Sequence, residues 1–203
     1  MSSPTLAAAF RPAARIPARI YDVCLIAGFS LVMAVSAQVS TPLPFTPVPI
    51  TLQTFVVVLT GALLGSRRGA AAVIAYLAEG IAGLPVFSLG RAGFSHLLGP
   101  TGGYLVGFVV AAWLVGCLVE RRLASTILGV LIVLIVGHLV PYVTGVAWLS
   151  VSLGISKALL LGFAPFLIGE ALKVVASVGI IKGTNVLGAK SAKNRTANSP
   201  KRT

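Results

Sequence analysis

Apolar residues in this chain come in long blocks, cut by short clusters of Gly, Pro and Arg, rather than alternating with polar ones. A helix needs roughly 20 predominantly apolar residues to cross a bilayer. Six blocks approach that length. The first runs from Asp22 to Ser40 and stops before Pro42 and Pro44. The second runs from Ile50 to Gly65 and ends at Arg67-Arg68; the third runs from Gly69 to Gly80, where Gly83 and Pro85 break it. The fourth, Thr101 to Val119, is closed by Glu120-Arg121-Arg122. The fifth spans Leu123 to Trp148, with a kink expected at Pro141. The sixth spans Leu159 to Ile181 and ends at Lys182. The second and third are short, which predicts tilt or ends set in protein-lined irregular backbone. The pattern predicts an all-α integral membrane protein, a compact bundle of six transmembrane helices over residues 21–182. The basic segments 1–20 and 183–203, rich in Pro, Ser, Asn and Lys, read as disordered tails.

Composition agrees. Of the 203 residues, 57% are hydrophobic and 10% charged, and the mean hydropathy is +0.99. A soluble domain of this size cannot cover so much apolar surface with so few charges. The net charge of +12 then becomes a question of topology. Thirteen of the 16 cations fall on one side of a six-span arrangement; the exceptions are Arg91, Lys157 and Lys173. The positive-inside rule puts both termini and the arginine-bearing turns in the cytoplasm, as for a multi-pass protein of a cell membrane. A nucleic-acid partner is not expected from the basic tail. Val35-Ser36-Ala37 imitates a signal-peptide cleavage site, but removing the first block breaks the charge alternation, so retention is expected.

Motifs for chemistry are missing. There is no HExxH, CxxC or GxSxG. The run Gly183 to Ser191 resembles a P-loop with one residue too many and no preceding strand. Cys24 and Cys117 lie inside apolar blocks, which argues against a disulfide framework. The chain reads as no enzyme, with no cofactor, and any energy for transport comes from an ion gradient or from partner subunits.

Attention then falls on the few polar groups within the blocks. An ionisable residue at mid-bilayer costs about 2.5–3.5 kcal/mol on insertion scales and marks a functional site by default. Glu170 and Lys173 are three apart, on one helix face. They form either a self-satisfied ion pair or a ligand site with acceptor oxygens beside ammonium donors; the cost of burying them favours the site. Glu79 ends a short span interrupted by Gly80, Gly83 and Pro85, a pattern that points to a membrane binding site, or it is an interfacial carboxylate in water. Arg91, in the loop from Ser88 to His96, is either a carboxylate clamp or a solvated charge. Gln38 and Gln53 flank the Pro-rich connection Thr41 to Pro49, which is forced extended and is suited to rim a pocket. Tyr104, Tyr142, Trp148, Phe87 and Phe94 are interface anchors or stacking surfaces for a ring. His138, with no acid in its own block, reads as a hydrogen-bonded core residue rather than a proton relay. Small residues four apart, Cys24 with Gly28 and Ser30 with Ala34, allow close helix approach, inside the chain or by a partner.

Four runs in register carry a resemblance. They are Pro47-Val-Pro-Ile-Thr51-Leu-Gln53-Thr54, Gly80-Ile-Ala-Gly83-Leu-Pro85-Val-Phe87, Gly99-Pro100-Thr101-Gly102-Gly103-Tyr104-Leu-Val-Gly107-Phe108, and Gly162-Phe-Ala-Pro165-Phe166-Leu-Ile-Gly169-Glu170-Ala-Leu-Lys173. Together they resemble the BioY family, the substrate-binding (S) components of energy-coupling factor (ECF) biotin transporters, over roughly residues 20–182. The resemblance implies capture of biotin from outside by a six-span subunit. It also implies a transmembrane coupling subunit and two cytoplasmic ATPase subunits as partners, with membrane lipid around the bundle. It implies that Glu170 and Lys173 contact the ureido ring and that Arg91 holds the biotin carboxylate. Glu79, Tyr104 and Gln53 are further candidate substrate-binding positions. The family's coupling face on the first span maps to Ser30 and Ala34, where Ser30 departs from the small-apolar pattern. The competing readings are an S component for another vitamin, an integral-membrane enzyme using Glu170 and Lys173 as acid and base, and a scaffold whose charges only pair.

Overall fold

The computed structural model describes residues 17–197, with the backbone alone for Lys182 and residues 184–197. The N-terminal tail up to residue 16 and the last six residues lie outside the described residues, as do the side chains of most of the C-terminal tail. Eight α-helices follow in order: α1 (Ala18–Gln38), α2 (Gln53–Leu64), α3 (Ser66–Ile81), α4 (Phe94–Leu98), α5 (Gly102–Glu120), α6 (Ile127–Leu153), α7 (Ile155–Gly162) and α8 (Leu167–Ala197). Three single 3-10 turns lie between them, at Ser88–Gly90, Leu123–Ser125 and Ala164–Phe166.

Among the described residues four segments are long and apolar enough to cross a membrane: α1, α5, α6 and the run Ile155–Ile181. The apolar α2 has 12 residues and α3 has 16, about 18 and 24 Å at 1.5 Å per residue. One residue joins them, Gly65, whose φ of 86° lies where a side chain is strained.

The outward faces are apolar. On α8, Ile168, Leu172 and Val175 are 79%, 68% and 70% exposed, while Glu170 and Ser177 on the opposite face are 9% and 0% exposed. This reverses the amphipathicity of a soluble helix, as a lipid-solvated bundle requires. Inside, α5 packs closely on α6. A methyl group added at Gly107 would lie on Thr144 and on the backbone of Pro141. The expected kink does not interrupt α6, which runs helically through Pro141.

The two ends of the bundle differ. At one end Asp22 pairs with Arg68 at 2.9 Å, and Glu120 accepts from the Ser66 amide (2.8 Å) and hydroxyl (2.9 Å). These contacts gather the starts of α1 and α3 and the end of α5. The other end carries the Pro-rich connection. It is closed by a two-residue antiparallel ladder, β1 (Ser40–Thr41) with β2 (Ile50–Thr51), in the register Ser40↔Thr51 and Thr41↔Ile50.

The sixth block is not one helix from Leu159 to Ile181. It starts at Ile155, breaks at Phe163 and Pro165, and resumes as α8, which runs past Ile181 to Ala197. Pro165 has no N–H to give, and a helix break strands carbonyls that lipid cannot satisfy. Here side chains take them up: Thr46 Oγ1 donates to the Leu161 carbonyl (2.7 Å) and the Tyr104 hydroxyl to that of Gly162 (2.7 Å).

Candidate ligand-binding site

A cavity lies at the end carrying the Pro-rich connection, with Phe166 of the α7–α8 break on its wall. Its walls include Val48 and Pro49, Thr51, Gln53 and Thr54, Ser88 and His96, Tyr104 and Phe108, Tyr142, Phe166, Glu170 and Lys173. Aromatic and aliphatic surfaces form most of it, with a small set of polar groups at one side, the usual make-up of a small-molecule site.

Four of the polar residues, Thr51, Thr54, Glu170 and Lys173, form one cluster. Glu170 and Lys173 stand on the first turns of α8, with side chains 12% and 13% exposed. Lys173 Nζ donates to Glu170 Oε1 at 2.6 Å, to Thr54 Oγ1 at 2.8 Å and to the Thr51 carbonyl at 2.7 Å. The Thr54 hydroxyl donates in turn to Glu170 Oε1 at 2.9 Å. An ammonium has three N–H donors, and all three are placed. Thr51 ends β2 and Thr54 lies in the first turn of α2, so the ladder and the helix start position both acceptors.

Other site candidates are placed differently. Gln53 and Tyr104 line the cavity; Gln53 Nε2 donates to the Tyr76 hydroxyl at 2.8 Å, which donates to the Val86 carbonyl at 3.2 Å. Gln38 clasps the loop after α3, donating to the carbonyls of Pro85, Val86 and Phe87 and accepting from the Gly90 amide. Arg91 is exposed in that loop and does not line the cavity wall. Its charge still reaches the mouth. Burial, then the positive charge of Arg91, holds the His96 imidazole below its ordinary pKa. His96 also stacks on the buried Phe87 ring at 4.9 Å.

Glu79 lies away from the cavity and accepts from the Ser30 hydroxyl at 2.7 Å, tying α3 to α1. This bears on the coupling face expected at Ser30 and Ala34. Ser30 is 0% and Ala34 8% exposed, so both side chains pack within the chain.

Two neighbours of the cluster were not singled out by the sequence as site residues, Thr54 and Thr51. A threonine among apolar residues carries no signal by itself. Among the described residues no group of three His, Cys, Asp or Glu is arranged to hold a metal ion.

The family model for the BioY family matches residues 9–189. The chain belongs to the BioY family. Within that family it is similar to the biotin transporter BioY of Thermotoga maritima, 38% identical over 156 residues, covering 73% of this chain and 86% of the relative. It is also similar to the probable biotin transporter BioY of Pyrococcus horikoshii, 34% identical over 158 residues, covering 77% and 91%. The fold resembles a crystal structure of the S-component for biotin from an ECF-type ABC transporter, with a TM-score of 0.74 and 27% identity over 82% of this chain and 92% of that one. BioY proteins are transport proteins rather than enzymes, and the several apolar helices agree with a membrane protein.

Proposed function

We propose that this chain is the biotin-binding S component of a vitamin uptake transporter. In this reading α1, α2, α3, α5, α6 and the α7–α8 run cross the cell membrane of a prokaryote, with both termini in the cytoplasm. The arginine-bearing turns at one end of the bundle support that orientation. The cavity then opens to the outside, and biotin enters there for delivery inward.

The observation that carries the reading is the buried cluster of Glu170, Lys173 and Thr54 on the cavity wall. A cyclic urea has two N–H donors and one strongly accepting carbonyl. A carboxylate answers the first and an ammonium the second. Because Lys173 has all three donors placed, the urea carbonyl takes over one of them, and the ring N–H groups turn to Glu170. Tyr104, Tyr142, Phe108 and Phe166 offer apolar surface to the fused rings. Gln53 holds the wall, and Arg91, beside the mouth, attracts the carboxylate of the valeryl chain. Glu79 is a structural contact to α1 in this scheme.

The likeness to the S-component of an ECF-type transporter supports energisation by a coupling subunit and two cytoplasmic ATPase subunits. Cells that depend on external biotin and express this chain with such a module are expected to accumulate labelled biotin. Lys173→Ala is expected to abolish accumulation, and equal uptake by that variant would overturn the site.

A further inference from the structure

His138 Nε2 on α6 and Glu170 Oε2 on α8 are both buried without a hydrogen-bond partner, and they face each other at 3.8 Å. The other ring nitrogen, Nδ1, lies 2.8 Å from the Leu134 carbonyl. A carbonyl only accepts, so Nδ1 carries a hydrogen. In the neutral ring Nε2 is then a lone pair aimed at a carboxylate oxygen, acceptor against acceptor. A proton on Nε2 turns the same contact into a charge-assisted donor and acceptor.

The surroundings leave few other participants. From α8, Glu170 and Lys173 act on the imidazole. On α6 itself the Tyr142 hydroxyl, one turn along, lies beside the Glu170 carboxylate as a neutral neighbouring donor. Helix α2 has no titratable residue. On α5, Tyr104 is engaged with Gly162, and Glu120 is held at the far end by Ser66. Glu170 Oε1 already accepts from both Lys173 and Thr54, so Oε2 is the carboxylate oxygen still open to a donor.

We infer that Glu170 Oε2 is served by either of two donors, the His138 Nε2 proton or a ligand N–H, so that ligand capture is linked to release of that proton. This rests on the reading of Glu170 as acceptor for the ring N–H groups. His138 is a positioning residue, acting through Glu170. On binding, the proton leaves Nε2 for solvent and the ligand N–H takes its place. The sign follows. Bound protein favours the neutral ring, so affinity is highest above the His138 titration and falls as pH drops through it, by up to about tenfold per pH unit for one proton.

The test is the biotin dissociation constant of the full chain in detergent between about pH 4.5 and 8, a window that extends well below an ordinary histidine. His138→Asn keeps a donor to Leu134 and has no atom at Nε2. It is expected to bind with high affinity independent of pH. His138→Gln keeps a permanent N–H toward Glu170 and is expected to bind weakly at every pH. The chain has two histidines, so nitrogen-15 spectra of labelled histidine report the protonation of His138 directly. Added biotin is expected to raise its neutral fraction near the midpoint, a readout on the wild-type chain that stands if the variants do not fold. An unchanged pH slope in His138→Asn, a wild-type affinity that is flat with pH, or no spectral shift on saturation with biotin overturns this inference alone. Failure of the wild-type chain to bind biotin at any pH overturns the functional reading, and this one with it.

Discussion

Lys173 Nζ donates to Glu170 Oε1 at 2.6 Å from one helical turn further along α8, and both side chains are buried against the cavity. Burying two charges costs several kcal/mol each before their attraction is counted, and removing one partner leaves the other uncompensated, at about 3–5 kcal/mol. Lys173→Met and Glu170→Gln are each expected to lower the melting temperature of the detergent-solubilised protein. The double variant, which leaves no isolated charge, is expected to lose less than the sum. All three should lose ligand binding. Additive losses in the double variant would contradict the coupling drawn here.

Glu120 is a second carboxylate with a structural task. It takes the amide and hydroxyl of Ser66 at the start of α3, where a helix has unsatisfied N–H groups. Glu120→Ala leaves those donors without this acceptor, and about 1–3 kcal/mol of stability should be lost. Binding at the opposite end of the bundle should survive. A melting temperature unchanged within error would show that the contact contributes nothing.

Gly107 and Gly28 make a paired test of packing. A methyl at Gly107 meets Thr144 and the Pro141 backbone, whereas at Gly28 nothing lies within 4 Å. Gly107→Ala is expected to destabilise by about 1–3 kcal/mol, the usual cost of overpacking. Gly28→Ala is expected to be neutral or mildly stabilising, since alanine is the better helix former. Thermal unfolding of the two variants side by side decides it.

His96 gives the empty protein an acid sensitivity. Its pKa in the folded state is lowered, by burial first and by Arg91 second. The unfolded chain therefore binds the proton more readily, and the stability His96 contributes is present above its unfolded pKa of about 6.5. It is lost as pH falls below that value toward the lowered folded pKa. His96→Gln should flatten this part of the profile of melting temperature against pH. An identical profile in the variant would remove the assignment.

Much of the fold is legible in the sequence, because block length and the position of Gly, Pro and Arg are local properties. The boundaries of α1, α3 and α5 fall within a few residues of the pattern. The break between α7 and α8 lies outside the six-block pattern, although Gly162 and Pro165 are helix breakers within the sixth block. Its consequences depend on Thr46 and Tyr104, which are distant in sequence. At the site, Glu170 and Lys173 stand out because charges in apolar blocks are costly. Thr54 does not, since its role comes from α8 packing against the start of α2. His138 was weighed against acids in its own block, but its acid, Glu170, comes from another helix. Ser30 and Ala34 show the same limit: small residues at helical spacing mark close approach without saying by what.

The most direct measurement is equilibrium binding of labelled biotin to the purified full chain in detergent, with unlabelled biotin and other vitamins as competitors. The account predicts saturable binding, displaced by biotin but not by the other vitamins, and strongly weakened in both Glu170→Ala and Lys173→Ala. Absence of saturable binding, or undiminished binding in both variants, would contradict it.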